Sequence, residues 1–252
     1  MDNQLLQAAT ENFTLPHDVV PLPSGGKFYK SKKKSVKIGF LTATDENLLL
    51  NSTRNNSDNI VLTLVRNKLY EHDLRPEEMI EGDIQTILLY LRNTSFGPEY
   101  NLVLRDPQTG KSFDHTEILD AIDFKKTEVQ PDEDGYFTTI LPKSGSTVKL
   151  RLLSYGEVVE LDKLAESYPQ GRIVPTITWK LNKQIVSIDG NDDKMVISKF
   201  VESMPIMDSK YIREFLNKNQ PSLDLTRSVI APSGERVVFN ITFGVEFFRP
   251  FF

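Results

Sequence analysis

From residue 42 onward the spacing of apolar residues switches between a period near 3.6 and a period near 2, and back again. A chain written this way cannot be all-helical or all-β, because each period buries its apolar face only in its own secondary structure. In "TATDENLLL", Thr42 and Thr44 are candidate N-caps, and Asp45 and Glu46 fall in the first turn, where the helix dipole favours negative charge. Ile60, Val61, Leu64, Val65 and Leu69 form one helical stripe, and Ile84, Ile87, Leu88 and Leu91 form another, with Asp83 as a cap in front and Gly97 behind. These signals predict a helical region over 42–97.

Near residue 100 the period drops to two. "YNLVLRDPQTGKSFD" and "GYFTTILPKSGSTVKLRLL" each read as strand, Pro/Gly turn, strand, a small antiparallel β unit over 98–153. Helical signals return over 154–220 in "SYGEVVELDKLAESYP", "DDKMVISKFVESMP" and "MDSKYIREFLNKNQP", and residues 221–252 close the chain as a β-ribbon with a Phe-rich tail. Ahead of all this, residues 1–41 read as an extended Pro/Gly/Lys arm. The fold class is therefore α+β, helical segments alternating with small antiparallel β units. The ribbons "LVLRDPQTGKSF" and "RSVIAPSGERVVF" share one layout, which fits either an internal repeat or two ordinary hairpins.

A chain of 252 residues can bury about 70–75% of its unfolded surface, so the core needs no staple. None from cysteine is on offer, since the chain has no Cys. No window approaches the ~20 apolar residues of a membrane span, and "MDNQLLQAATENF" lacks the basic and apolar regions of a secretory signal. Soluble, intracellular synthesis is the expectation. A net charge of −5 argues against a dedicated nucleic-acid binder.

Motifs for chemistry are sparse. Gly110-Lys111-Ser112 imitates the end of a phosphate-binding loop, but Arg105 stands where the first glycine belongs, and the stretch sits in a hairpin. His17, His72 and His115 lie in unrelated segments without metal-ligand spacing, and no GxSxG elbow nominates a serine. No catalytic, cofactor-binding or metal residue is predicted. Two adhesive ends stand out instead. Phe28 and Tyr29 tip the stiff "PLPSGGKFYK" segment, followed by Lys32, Lys33 and Lys34, while Phe247, Phe248, Phe251 and Phe252 crowd the C-terminus. All are candidate partner contacts. Their bland readings are an internal strap over the helices at 42–97, a solvated lysine loop, and a final strand buried on both faces. Trp179 reads as core.

"LPSGGKFY", "LTATDENLLL", "LLYLRNTSFGPEY", "ITWKLNKQIVSIDG", "FVESMPIMDSKYIREFL" and "FFRPFF", in that order, resemble the baseplate hub subunit and hub assembly chaperone family of T-even-type contractile-tailed bacteriophages. The resemblance implies a non-enzymatic protein that docks on other hub and tail proteins, with a homo-oligomer as a further option, in the virion baseplate or, for a transient helper, in the host cytoplasm. It also implies cysteine pairs of a zinc-ribbon kind in the turns that are "DPQTGK" and "APSGER" here. This chain replaces them with Pro107 to Gly110 and Pro232 to Gly234, so metal-dependent roles do not carry over. The alternatives from other classes are a nucleic-acid-binding module on the degenerate ribbons and a hydrolase with a dispersed triad.

Overall fold

The computed structural model describes residues 16–50 and 57–248. Strands β1 (His17–Pro21) and β2 (Ser35–Gly39) form an antiparallel hairpin out of the arm. Helices α1 (Ala43–Leu50), α2 (Ser57–Lys68) and α3 (Glu81–Phe96) follow, and β3 (Glu99–Arg105) with β4 (Ser112–Ile118) makes the first ribbon. Strands β5 (Phe137–Ile140) and β6 (Thr147–Leu150) lead to α4 (Tyr155–Glu166), α5 (Thr176–Gln184), β7 (Ile185–Ile188), α6 (Lys194–Ser203) and α7 (Ile206–Asn219). The second ribbon, β8 (Thr226–Ile230) and β9 (Arg236–Asn240), precedes a 3-10 turn at Val245–Phe248. One core cluster runs from Val20 to Phe248, and the two ribbons touch it only through the half-buried Tyr100 and Phe239.

Three differences from the sequence reading have local causes. The region 42–97 is not continuous helix, because between Lys68 and Glu81 the chain leaves helical geometry for a 3-10 turn at Pro76–Glu78, with Pro76 in its first position. The two hairpins of 98–153 belong to different sheets: β6 continues onto β7, a strand inside the stretch read as helical. Asp83 does not cap α3. The N-cap position belongs to Ile80, and Asp83 lies inside the first turn, fully buried. Gly97 does end the helix, at a φ of 81°.

Helix α3 is the axis of the molecule. Ile84, Ile87, Leu88 and Leu91 are buried along its length, and Gly82 admits the crossing segment 221–222. A Cβ at Gly82 would meet the Pro221 carbonyl oxygen at 2.1 Å, so only glycine fits. Buried carboxylates fasten the periphery. Asp45 pairs with Lys68 and accepts from the Thr42 amide at 2.8 Å, joining α1 to α2, and Asp208 accepts from the Lys143 and Ser144 amides at 2.7 and 2.9 Å, holding the β5–β6 turn on α7.

The two ribbons pack together. Each alternates one half-buried and one exposed face along its strands, as a period of two requires. The half-buried faces meet: His115 lies edge-on to Phe239 at 5.6 Å, and Glu117 pairs with Arg227 at 3.2 Å. At the turns, one carboxylate serves both ribbons. Asp106 accepts from the Gln108 and Thr109 amides of its own turn, and from the Ser233 amide and hydroxyl at 3.1 and 2.8 Å across the interface. The loop that imitates a phosphate site is thus a hairpin turn closed by Asp106, with Gly110 at a φ of 69°.

Burial works to raise the Asp106 carboxyl, but the Ser233 hydroxyl and the three amides favour its anion and hold it below the ordinary aspartate range. Its contribution to stability is complete above the unfolded value near pH 4 and is lost as pH falls through the depressed one. Asp106→Asn should melt at a lower temperature at neutral pH and lose less on acidification than the parent chain. Thermal melts between about pH 3 and pH 7 read both effects.

Candidate assembly surface

The arm is built to turn and then to lock. Pro21 ends β1, and successive turns run from Leu22 to Lys32 until the Leu22 amide meets the Lys34 carbonyl at 2.9 Å. Gly26 has a φ of 75°, and a Cβ there would sit 2.4 Å from the Lys33 carbonyl oxygen, so the tight return of the chain depends on it. The turn delivers Ser24 and Tyr29 to the start of α3. Asp83 accepts from the Ser24 amide at 3.0 Å, from the Ser24 hydroxyl at 2.5 Å and from the Tyr29 hydroxyl at 2.5 Å. The Tyr29 oxygen in turn accepts from the Ile80 amide at 2.9 Å, satisfying a donor that the helix leaves unpaired. Burial pushes the Asp83 carboxyl up, and the Ser24 and Tyr29 donors only partly oppose it.

This geometry decides where each arm residue goes. Tyr29, 5% exposed, points into the chain's own core and offers no ring to a partner. Phe28 is half-buried, 6.0 Å from the Phe137 ring. The Lys32 ammonium donates to the Glu133 carbonyl at 2.5 Å, and Lys33 pairs with Glu71 at 2.5 Å and Asp73 at 3.2 Å. Lys32 and Lys34 are exposed. Lys33 is thus neutralised by local carboxylates, Lys32 is tied to main-chain carbonyls, and of the arm's candidate contacts Lys34 stands exposed while Phe28 keeps one side against the core.

The C-terminal aromatics are held at the other end of α3. Arg92 is fully buried, and among the described residues no carboxylate pairs with it. Its guanidinium donates to the Gly97 carbonyl and, at 2.6 Å, to the Glu99 carbonyl, at the negative end of the helix dipole. It lies 5.4 Å from the Tyr100 ring and 5.9 Å from the Phe247 ring, where the π faces supply further negative potential. Phe247 meets Phe243 at a tilt, with ring centroids 4.6 Å apart, and meets Phe248 edge-on at 5.5 Å. Phe247 and Phe248 are therefore core residues in a 3-10 turn, neither a final strand nor a projecting anchor. Phe251 and Phe252 lie outside the described residues. Trp179 is half-buried against Tyr168 at 5.5 Å.

Arg92 is the residue that the sequence reading missed, and Asp83 is the one it took for a cap. Both fall on the apolar stripe of α3, and a charge on a buried stripe is the signal that could have marked them. Among the described residues no group of three or more His, Asp or Glu could hold a metal, and no helix is long and apolar enough to cross a membrane.

Tyr29→Phe removes the bond to Asp83 and orphans the Ile80 amide, so it should cost about 1–3 kcal/mol in denaturant unfolding. Asp83→Ala leaves three donors unpaired and should cost at least as much, about 2–4 kcal/mol. The double variant should fall well short of the sum, because both substitutions dismantle one network.

A family model described as "T4 bacteriophage base plate protein" matches residues 18–249, from β1 to just beyond the 3-10 turn that carries Phe247 and Phe248. Comparisons with curated proteins and with solved structures each find no significant match. With the match spanning the strap, both ribbons and every described helix, the chain belongs to the T4 bacteriophage base plate protein family, the structural proteins of a phage tail baseplate.

Proposed function

We propose that the chain works at the central hub of the baseplate, as a subunit or as a chaperone of hub assembly, through contacts with other hub and tail proteins and without catalysing a reaction. The family match over residues 18–249 supports the baseplate part of this reading, and the resemblance of the ordered motifs to hub proteins supports the rest. The surface chemistry of the arm supports it. Phe28 is an aromatic whose backbone is already fixed by turns on both sides, and Lys32 and Lys34 stand beside it in an otherwise acidic chain. A contact made there orders little that is not already ordered. Tyr29, Phe247 and Phe248 serve by holding the two ends of the chain in place, and Lys33 is bound to Glu71 and Asp73 in the same supporting role.

Quantitative mass spectrometry of purified virions beside infected-cell lysate tests the reading. Peptides in fixed proportion to the hub proteins of the particle identify a subunit, and abundance in lysate with absence from virions identifies a chaperone. A chain present in neither the particle nor any hub complex would refute both. Replacing Lys34 by Glu should leave stability within about 0.5 kcal/mol, because it is exposed, while lowering the yield of infectious particles in complementation.

A further inference from the structure

A groove and a loop in the helical half carry opposite chemistry. The groove, about 330 Å³, lies between α3, α4 and residues 241–243. Its floor is apolar, with Ile84, Leu88, Val159 and Ile241 all buried. Two carboxylates line it, Glu81 and Asp162. Glu81 is hydrogen-bonded by Gln85 and Gln220 and lies in the field of Lys180, and among the described residues neither carboxylate makes a direct ion pair.

The loop follows α4 directly. From Ser167 to Ile188 the chain contains no acidic residue but holds Arg172, Lys180 and Lys183, within a protein of net charge −5. Ile173 is 93% exposed and Arg172 stands exposed beside it with no ion pair among the described residues. The loop is stiff. Pro169 and Pro175 bracket it, the Arg172 amide closes a turn on the Pro169 carbonyl at 3.2 Å, and the Tyr168 and Trp179 rings meet at its base. An aliphatic side chain held almost wholly in water beside an unpaired guanidinium is a preformed anchor without a socket, since its ordering cost has already been met in the fold.

We propose that a second copy of this chain seats its Arg172–Ile173 loop in the groove, with Ile173 on the apolar floor and Arg172 against Asp162 and Glu81, and receives the first copy's loop in return. Asp162 lies on α4 one turn before its end, and the loop starts where α4 stops, so anchor and socket are neighbours on one helix. A two-fold interface repeats the contact from i to j as one from j to i, and each copy carries both members of that pair on one surface.

Sedimentation equilibrium of the full chain over a concentration series tests this. The parent chain should pass from one copy to two. Ile173→Asp and Arg172→Glu should each raise the dimer dissociation constant roughly tenfold or more without moving the melting temperature measured at concentrations where the parent is a single copy. Combining Arg172→Glu with Asp162→Arg should recover much of the loss, because each copy then carries the swapped pair. A chain that stays monomeric at all concentrations overturns the proposal, as does self-association indifferent to both single substitutions. A photo-crosslinker at position 173 that captures a different tail protein in assembling particles, and never a second copy, overturns it too. A monomer that still enters the baseplate would leave the hub reading standing.

Discussion

The contact on which most of the architecture depends is a carboxylate with no basic partner among the described residues, Asp83, at the start of α3. It accepts the Ser24 amide and the Ser24 and Tyr29 hydroxyls, and so converts a Pro- and Gly-rich segment that could not form a helix into a strap tied across the helical core. The opposite end of the same helix holds Arg92, which collects the Gly97 and Glu99 carbonyls and the Phe247 ring. One helix thus anchors the first and the last parts of the described chain, through two buried charges of opposite sign at the ends where its dipole suits each.

The same device recurs. Asp106 joins two ribbons, and Asp208 holds the β5–β6 turn, each by accepting main-chain N–H groups from a turn far away in sequence. A buried carboxylate is costly unless its lone pairs are filled, and backbone amides fill them without the rotamer entropy that a Lys or Arg would lose. In a chain without cysteine, these bonds tie distant segments together without a covalent cross-link.

Much of this was legible in the sequence. The stripes of α2 and α3 and the Pro/Gly turns of the two ribbons announce themselves through period and turn chemistry, and the α+β class follows from them. Helix α5 and strand β7 were harder, because "TITWKLNKQ" is rich in β-branched residues, and only its packing beside α6 and β7 makes it helical. The strap and the docking anchor were equal readings of "PLPSGGKFYK", since the residue that separates them, Asp83, is 54 positions away from Tyr29. Aspartate in a first helical turn looks the same from sequence whether it faces water or a tyrosine.

The clamp between the ribbons has a bearing on synthesis. Asp106 and Ser233 are 127 residues apart, so the half-buried face of the first ribbon, with Leu102, Leu104 and Phe113, lacks the cover of the second ribbon until residues 226–240 have left the ribosome. Contacts of such long range make folding late and cooperative, and they leave an apolar sheet face exposed on the nascent chain for most of its elongation. A truncated product ending before residue 226 would keep that face bare, and would be expected to aggregate or be degraded before it could enter an assembly.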